Sequence, residues 1–392
     1  MKQSLSLFLI LALFISACEF KPSTPREQVR ASIKQVKLNP DDPEAHYNLG
    51  LAYLRQKKYK KAMGQFRDTI RLEKTHAKAY RELGAAQLSL KRYAEAEKSL
   101  KKSFSLQPLD TITLINLGSA YLGMNNPKKA IQHLEIALRR GIDSAHTLNN
   151  LGVAYEKLGQ NQKALNQWKK ALKKHPEFAD AHSNIGALYE KLGHRDKAVK
   201  KYEEALRWNP EDAITHYNLG VIYGKEKNLK KALEYWKKSK SIEPGDPQLL
   251  SSLGWAYENL DDKKAAVKEY KLSSKADPFN PATYFSIGRL SAELGNFQEA
   301  AKAFKKTIHL EPAYVEAYYR LGLLYEKIQD AESAITNLII AELFYTRKKN
   351  EEMSQKVKSR LKYLLRKHHF SRSDFKGLIL PESLQEESTS SG

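Results

Sequence analysis

The chain has 392 residues, enough for two or three ordinary globular domains or for one long repetitive body. Its formal net charge of +21 favours an anionic partner, and its single cysteine excludes a disulfide framework within one chain. Nucleic acid is the usual partner of so basic a chain, but only if the chain stays where nucleic acid is found.

The first segment, residues 1–17, has the pattern of a secretory signal peptide. One early positive charge, Lys2, precedes an apolar run from Leu5 to Ile15 that is too short to span a bilayer. We therefore predict an exported protein. Such a protein meets phospholipid head groups, cell-wall polymers and acidic proteins, so we expect no nucleic-acid partner.

Cys18 follows this leader directly. The sequence Ile15-Ser16-Ala17-Cys18 resembles a bacterial lipobox, which implies cleavage before Cys18 and lipid attachment to its thiol. Two or more acyl chains give stable anchoring. The alternative is a simple secretory leader with a coincidental cysteine. Glu19 is not the aspartate that retains such lipoproteins on the inner membrane of enteric-type bacteria. The resemblance therefore favours a lipid-anchored position in the bacterial cell envelope, at the outer membrane and facing the periplasm.

A short linker, residues 18–25, leads to a predicted N-terminal capping helix in residues 26–42. Val29, Ile33 and Val36 lie on one face at helical spacing. A helix with one apolar face at this place can cover the open end of a repeat array.

Residues 43–348 contain nine units of one length. An alanine stands twelve residues after the central glycine of every unit, and a proline usually stands twenty-four residues after it. Small residues let two helices approach closely, whereas proline cannot continue a helix and so marks the step to the next unit. The glycines, each 34 residues from the next, are Gly50, Gly84, Gly118, Gly152, Gly186, Gly220, Gly254, Gly288 and Gly322.

This pattern resembles the tetratricopeptide repeat family over about residues 43–348. The resemblance implies an all-α fold, a right-handed superhelical solenoid of nine tandem 34-residue helix-turn-helix repeats with capping helices at both ends. It also implies binding of other proteins or extended peptides.

Residues 349–370 are predicted to form a basic C-terminal capping helix. Asn350 can cap it, and Val357, Leu361 and Leu364 form an apolar stripe. Its many lysines and arginines make it the best single candidate for a lipid-facing patch. Residues 371–392 have low apolar content and are predicted to be a disordered tail.

A ligand is expected on the free face of the first helices. Relative to each glycine, positions minus six, minus three, minus two, plus one, plus four and plus five fall on one stripe. Amide side chains can pair with the backbone of an extended peptide, as in the similar ladder that lines some tetratricopeptide superhelices. The alternative is that these amides are only solvated. The asparagines of the minus-two column are Asn48, Asn116, Asn150, Asn184 and Asn218.

The same face changes in repeats seven to nine. Trp255 and Arg289 occupy the plus-one column, Phe285 and Tyr319 the minus-three column, and Arg320 the minus-two column. Aromatic and arginine side chains are typical of binding hot spots, so we predict a second subsite there for an aromatic or acidic anchor. The alternative is stacking between neighbouring repeats.

The second helices carry lysine pairs on the opposite, convex face. We predict that most are solvated, and the alternative is contact with anionic lipid or cell-wall polymer. The pairs include Lys60-Lys61, Lys128-Lys129, Lys230-Lys231, Lys237-Lys238 and Lys305-Lys306.

No nucleophile with a base, metal cluster or phosphate loop stands clear of the repeat pattern. His46, His182 and His216 recur four residues before the glycine, where a bulky packing residue belongs. The sequence therefore predicts no enzyme activity, no metal and no cofactor.

The leading functional hypothesis is a membrane-anchored scaffold or adaptor of the bacterial envelope. A more specific hypothesis is an assembly factor for an outer-membrane pilus or secretion channel, because the chain resembles such lipoproteins in anchor and repeat type, although it has more repeats than the short members. An enzyme such as a glycosyltransferase would need a catalytic domain, and no chain remains to form one.

Overall fold

The computed structural model describes residues 24–141, 144–378 and 381. Over these ranges the chain forms twenty α-helices and one short 3-10 helix, without a β-strand. It divides into two compact units, Met1–Trp208 and Asn209–Gly392. Because each unit is built from helix pairs, the predicted all-α repeat fold is confirmed. The predicted leader and Cys18 lie outside the described residues.

Unit 1 contains one capping helix and repeats one to five. Every repeat is a pair of helices, and the first helix of each pair has 13 residues. The helices are α1 (Pro25–Leu38), α2 (Pro43–Arg55), α3 (Tyr59–Leu72), α4 (Ala77–Ser89), α5 (Tyr93–Leu106), α6 (Thr111–Gly123), α7 (Pro127–Arg139), α8 (Ala145–Lys157), α9 (Asn161–Lys174), α10 (Ala179–Lys191) and α11 (Arg195–Trp208).

Unit 2 contains repeats six to nine and a second capping helix. Its helices are α12 (Ala213–Lys225), α13 (Leu229–Ile242), α14 (Pro247–Asn259), α15 (Lys263–Ala276), α16 (Pro281–Glu293), α17 (Phe297–Leu310), α18 (Val315–Lys327), α19 (Ala331–Arg347) and α20 (Glu351–Lys367). The 3-10 helix is Arg372–Phe375.

Local sequence explains where the first helices begin. The side chain of Asp42 accepts a hydrogen bond from the backbone N–H of Glu44, and Pro43 takes the first position of α2, where a missing N–H removes no helical bond. Asp246 and Pro247 begin α14 in the same way. These caps start the helices of different repeats at the same point of the repeat.

The turn inside each repeat contains one residue with a left-handed backbone, seven positions after the central glycine. Glycine adopts this conformation without the steric cost of a Cβ atom, so the three turns that have it are less strained than the other six. The residues are Lys57, Lys91, Asn125, Gly159, Gly193, Lys227, Asp261, Gly295 and Gln329.

The central glycines allow the two helices of a repeat to touch. A Cβ atom on Gly152 would lie 2.3 Å from Nε1 of Trp168, and one on Gly220 would lie 2.4 Å from Cδ1 of Trp236. The alanines of the plus-twelve column, from Ala62 to Ala334, are fully buried in both units. Small residues therefore face bulky ones in the core, as the repeat pattern predicts.

The first helices of neighbouring repeats also contact one another, which places their free faces side by side. In unit 1 this holds for α2 with α4, α4 with α6, α6 with α8 and α8 with α10. In unit 2 it holds for α16 with α18. A ligand on these faces can therefore span adjacent repeats within a unit.

The predicted capping helices correspond to α1 and α20. Val29 of α1 is buried with Leu49 and Ala52 of repeat one. Leu361 and Leu364 of α20 are buried in the core cluster of repeat nine. Among the described residues, no helix is both long and apolar enough to cross a membrane.

The start of the predicted disordered tail differs from expectation. Residues 371–378 fold back onto the end of unit 2, where Phe375 and Leu378 pack against its core cluster. Ser371 and Asp374 form a capping box around the 3-10 helix, and Arg372 pairs with Glu342, whose side chain is almost fully buried. Two apolar contacts and one ion pair were enough to order a segment whose average composition is polar.

Candidate functional site

The asparagine column of unit 1 links neighbouring repeats. The Nδ2 group of Asn150 donates to Ser119 Oγ at 2.9 Å, and Nδ2 of Asn184 donates to Asn149 Oδ1 at 2.8 Å. A side-chain amide has a second N–H and an oxygen acceptor, so each of these asparagines keeps hydrogen-bonding capacity for a ligand. The column therefore has a structural role in addition to any binding role.

The other members of the column differ from these two. Asn48 only reaches Glu44, one turn earlier on α2, with a long Nδ2 to Oε1 distance of 3.5 Å. Asn116 is half-buried on α6, and Asn218 is half-buried on α12 of unit 2. Binding of a ligand by this column stays a prediction, and the sequence missed Ser119 and Asn149, the two side chains to which Asn150 and Asn184 donate.

The column is interrupted in repeat two by a charged cluster. Arg81 donates to Glu82 at 2.7 Å and to Asp110 of the next repeat at 3.2 Å. Burial lowers the pKa of Arg81, but the hydrogen bonds and charges of both carboxylates outweigh burial and raise it. Because Arg81 stays charged, the cluster acts as a permanent ionic link between repeats two and three.

Three aromatic residues were predicted to form a hot spot in repeats seven to nine, and the structure gives them different neighbours. Trp255 is 41% exposed and meets the edge of Trp236, with ring centroids 6.5 Å apart. Phe285 packs against Phe304 and Tyr314 at 5.8 and 4.9 Å. Trp255 thus offers an open aromatic surface, whereas Phe285 mainly stacks between repeats.

Tyr319 departs from the expectation of an accessible groove residue. Its side chain is only 7% exposed, and its ring meets the edge of Tyr345 at 6.5 Å. Lys356 of α20 lies over the same ring at 5.8 Å. Because α19 and α20 cover this residue, Tyr319 belongs to the core and we leave it out of the candidate site.

Arg289 and Arg320 do meet, at a concavity of about 220 Å³ between the first helices of repeats eight and nine. Its lining is partly apolar, and Lys327 and Glu293 line it together with the two arginines. We call this concavity the cationic pocket. Its lining residues are Arg289, Ala292, Glu293, Phe304, Arg320, Leu323, Leu324 and Lys327.

Ion pairs hold the arginines of the cationic pocket in place. Arg289 pairs with Glu258 of repeat seven and, at 3.4 Å, with Glu293, while Arg320 Nε donates to Glu316 at 2.8 Å. Burial, followed by the nearby charge of Glu258, raises the pKa of the Tyr270 phenol, so this phenol stays neutral beside Glu258. The ion pairs with Glu258, Glu293 and Glu316 therefore orient both arginines before a ligand arrives.

A second concavity in unit 2, of about 80 Å³, lies where α12 and α14 begin. Ile214 and Tyr217 supply apolar surface, and Ile214 is 64% exposed. Glu243 and Asp246 supply negative charge. We call it the acidic pocket. Sequence reasoning missed it because Glu243 and Asp246 come from the loop between repeats, outside the first-helix stripe.

The recurring histidines are buried side chains that bind the backbone. His46, His182 and His216 are between 6% and 8% exposed. In each, Nε2 lies 2.8 to 3.0 Å from the carbonyl oxygen of the residue six positions earlier, always a proline. These residues join the start of a first helix to the loop before it. Among the described residues, no group of three or more potential ligands could hold a metal ion.

Several lysines of the second helices are exposed, as expected, and also lie over tyrosine rings of the first helices. The lysine eleven positions after the glycine lies over the tyrosine three positions after it, as with Lys129 over Tyr121 at 5.5 Å and Lys231 over Tyr223 at 4.8 Å. Such cation–π contacts stabilise by about 0.5–1 kcal/mol when exposed. One member of each such pair is thus engaged within its own repeat.

Most of the family models that match the chain are described as repeats. A model described as TPR repeat matches residues 157–193 and 288–329. Models described as tetratricopeptide repeat match residues 115–168, 179–212, 213–246 and 247–280. Residues 32–103 match a model described as anaphase-promoting complex, cyclosome, subunit 3. No curated protein sequence matches the chain significantly.

The chain is also similar to solved structures, of which three are described here. YrrB, described as a TPR protein with an unusual peptide-binding site, is 21% identical over 48% of this chain and 96% of its own, with a TM-score of 0.37. PilF of Pseudomonas aeruginosa is 22% identical over 57% of this chain and 99% of its own, with a TM-score of 0.48. The matched chain of the APC/C hetero-tetramer Cut9–Hcn1 is 15% identical over 86% of this chain and 81% of its own, with a TM-score of 0.45.

Proposed function

The chain belongs to the tetratricopeptide repeat family, and from this premise we propose that it is a protein-interaction scaffold of a bacterial cell envelope, anchored to a membrane through Cys18. It binds segments of partner proteins along the free faces of its first helices. The observation that carries this proposal is the cationic pocket, a partly apolar concavity on the first helices that is lined by two arginines held in ion pairs.

The chemistry of unit 2 favours a segment with charge at both ends. The cationic pocket suits an acidic residue next to an apolar side chain, because Leu323 and Leu324 line it together with Arg289 and Arg320. The acidic pocket suits an apolar side chain next to a basic residue, since Ile214 lies beside Glu243 and Asp246. A bound segment would place its basic part at repeats six and seven and its acidic part at repeats eight and nine.

Unit 1 supports a less selective mode of binding. Asn150 and Asn184 have amide groups fixed by Ser119 and Asn149, and their remaining donors and acceptors match those of an extended peptide backbone. Each hydrogen bond of this kind contributes about 1 kcal/mol, so the column supports binding without setting its specificity.

The groove is tested by measuring binding of short synthetic peptides that combine acidic and apolar residues, and of the same peptides with lysine in place of the acid. Arg289→Gln with Arg320→Gln should weaken binding of the acidic peptides roughly 10-fold or more, equivalent to about 1.4 kcal/mol. Lys302→Gln with Lys306→Gln is the matched control, because it removes two charges from α17 outside the pocket. Equal binding by both double variants would place the ligand elsewhere.

The asparagine column has its own test. Asn116, Asn150, Asn184 and Asn218 changed together to alanine should lose partners in a pull-down while circular dichroism stays native. If this variant retains its partners, the binding site lies elsewhere, at the cationic or acidic pocket of unit 2 or on the second helices.

The anchor is tested with Cys18→Ser and with globomycin, which inhibits lipoprotein signal cleavage. Either treatment should change the apparent size of the protein and its release from membranes. If the protein remains equally membrane-bound and unchanged in size, the anchor proposal is wrong. Fractionation of the two membranes of the cell envelope then tests the outer-membrane position that Glu19 favours.

An assembly role for an outer-membrane pilus or secretion channel is the more specific alternative, and the lipobox-like sequence together with the repeats supports it. Deletion of the protein should then abolish channel multimers at the outer membrane. Normal multimers in the deletion strain would leave the general scaffold as the function.

A further inference from the structure

A basic concavity lies at the outer end of unit 1, where the start of α1 meets the end of α2. Its volume is about 550 Å³. Four of its seven lining residues carry a positive charge, and all four side chains are exposed. We call these four, Arg26, Arg55, Lys57 and Lys58, the basic edge. The other lining residues are Thr24, Pro25 and Gln56.

Two hydrogen bonds join the start of α1 to the end of α2 beside the basic edge. Gln56 Nε2 donates to the carbonyl oxygen of Pro25 at 2.6 Å, and Arg55 Nη1 donates to Gln28 Oε1 at 2.8 Å. The positive end of the α1 helix dipole points to the same place. The start of α1 and the end of α2, which carry the four cations, are therefore fixed relative to one another.

No carboxylate among the described residues forms an ion pair with any member of the basic edge. Glu27 is the nearest acid in sequence, but its side chain accepts a hydrogen bond from the backbone N–H of Thr24 at 2.7 Å. This bond, with that of the Thr24 hydroxyl, lowers the pKa of Glu27 and keeps it charged and committed to the helix cap. Within residues 24–141, 144–378 and 381, the four charges of the basic edge are therefore left for an external anion.

The basic capping helix α20, the sequence-based candidate for lipid contact, differs in this respect. Arg360 donates to both carboxylate oxygens of Glu326, at 2.7 and 2.6 Å. Lys358 lies 3.9 Å from Glu342, which also pairs with Arg372. Part of its charge is thus satisfied within the protein, which makes the basic edge the better candidate.

The basic edge is also close to the anchor in sequence. Thr24 lies six residues after Cys18, and six fully extended residues reach about 20 Å. A lipid on Cys18 therefore keeps Thr24, at the start of α1, within about 20 Å of the head groups, whatever path the intervening chain takes.

We propose that Arg26, Arg55, Lys57 and Lys58 bind the anionic phospholipid head groups of the membrane that holds Cys18; the proposal rests on the proposed anchor. Clusters of cations near an anionic surface add to the attraction of an acyl anchor. The contact directs the end of repeat one toward the membrane. It uses Arg55 on the first-helix face of repeat one and no residue of the first helices of repeats two to five.

The test uses the full chain purified from membranes and reconstituted into vesicles of phosphatidylcholine alone or with added phosphatidylglycerol. Lysine side chains are labelled with an acetylating reagent and analysed by mass spectrometry. Labelling of Lys57 and Lys58 should fall roughly three-fold or more on the anionic vesicles and recover in high salt, which screens surface charge. Labelling of Lys102, Lys169 and Lys170 should not change, because these lysines lie on second helices. Equal labelling of Lys57 and Lys58 on both vesicles overturns the proposal.

Measuring the intact mass of the purified chain distinguishes a failure of this proposal from a failure of the anchor proposal. A chain without acyl groups refutes the anchor, and co-sedimentation of that chain with the same vesicles then tests the basic edge directly. Changing all four cations to glutamine should abolish the preference for anionic vesicles. The matched variant with Lys98, Lys102, Lys169 and Lys170 changed to glutamine should keep it. Equal behaviour of the two variants rejects the basic edge as a lipid site.

Discussion

Repeats three to five of unit 1 and repeats seven to nine of unit 2 share one type of core but join their neighbours differently along the first-helix face. In unit 1, Asn150 and Asn184 form neutral hydrogen bonds to the preceding repeat. In unit 2, Arg289 forms ion pairs with Glu258 and Glu293. Neutral amides suit a peptide backbone of any sequence, whereas fixed charges select among side chains. One repeat fold can therefore present a tolerant surface and a selective one.

The largest expected effect tests whether the two cores are equivalent. Gly152→Ala in unit 1 and Gly220→Ala in unit 2 should each lower the free energy of unfolding by about 1–3 kcal/mol, because the added methyl group displaces Trp168 or Trp236. Urea unfolding followed by circular dichroism measures both variants. Gly64→Ala is the control, since a Cβ atom there meets nothing within 4 Å. A large effect in only one unit would show that the cores differ.

A smaller effect tests the neutral links. Asn184→Ala leaves Asn149, only 8% exposed, without its amide donor and should destabilise the protein by about 1 kcal/mol. Because no charge is lost, the same difference should persist in high salt. Urea unfolding of Asn184→Ala and Asn48→Ala at two salt concentrations makes the measurement, with Asn48 as the exposed control. A loss that disappears with salt would contradict the neutral link.

The turns allow a comparison that is independent of side-chain contacts. Lys227→Gly in unit 2 should stabilise the protein by about 0.5–1 kcal/mol, because Lys227 has a left-handed backbone with φ of 60°. Gly193→Ala in unit 1, at the equivalent turn, should destabilise by a similar amount. Thermal unfolding measures both. Two changes of the same sign would mean that backbone conformation does not control these turns.

The smallest effect tests the ionic links. Arg289→Met should lower stability by about 0.5 kcal/mol at low salt and less at high salt, because its ion pairs with Glu258 and Glu293 are partly exposed and screened. Chemical denaturation with urea at both salt concentrations measures the difference, and Lys302→Met provides the control. A salt-independent loss would indicate that Arg289 acts through packing instead.

Much of the candidate site could be predicted from the sequence, because the columns of a repeat map directly onto helix faces. The minus-two asparagines, Arg289 and Arg320 all lie on first helices at the expected positions. Tyr319 could not be judged in the same way, because its burial depends on α19 and α20, which lie outside its own helix. Ser119 and Asn149 were missed because a hydrogen bond between repeats depends on how far one repeat is displaced from the next.

The sequence by itself determined the repeat length, the nine helix pairs and the capping helices, because glycine, alanine and proline spacing reports local helix geometry and close packing. Only the tertiary structure decided which charges remain free. It paired Arg360 with Glu326 and Arg372 with Glu342, and it left the basic edge at the start of unit 1 without a carboxylate partner among the described residues. Charge counts follow from composition, but neutralisation depends on distances of a few ångströms between residues far apart in the chain.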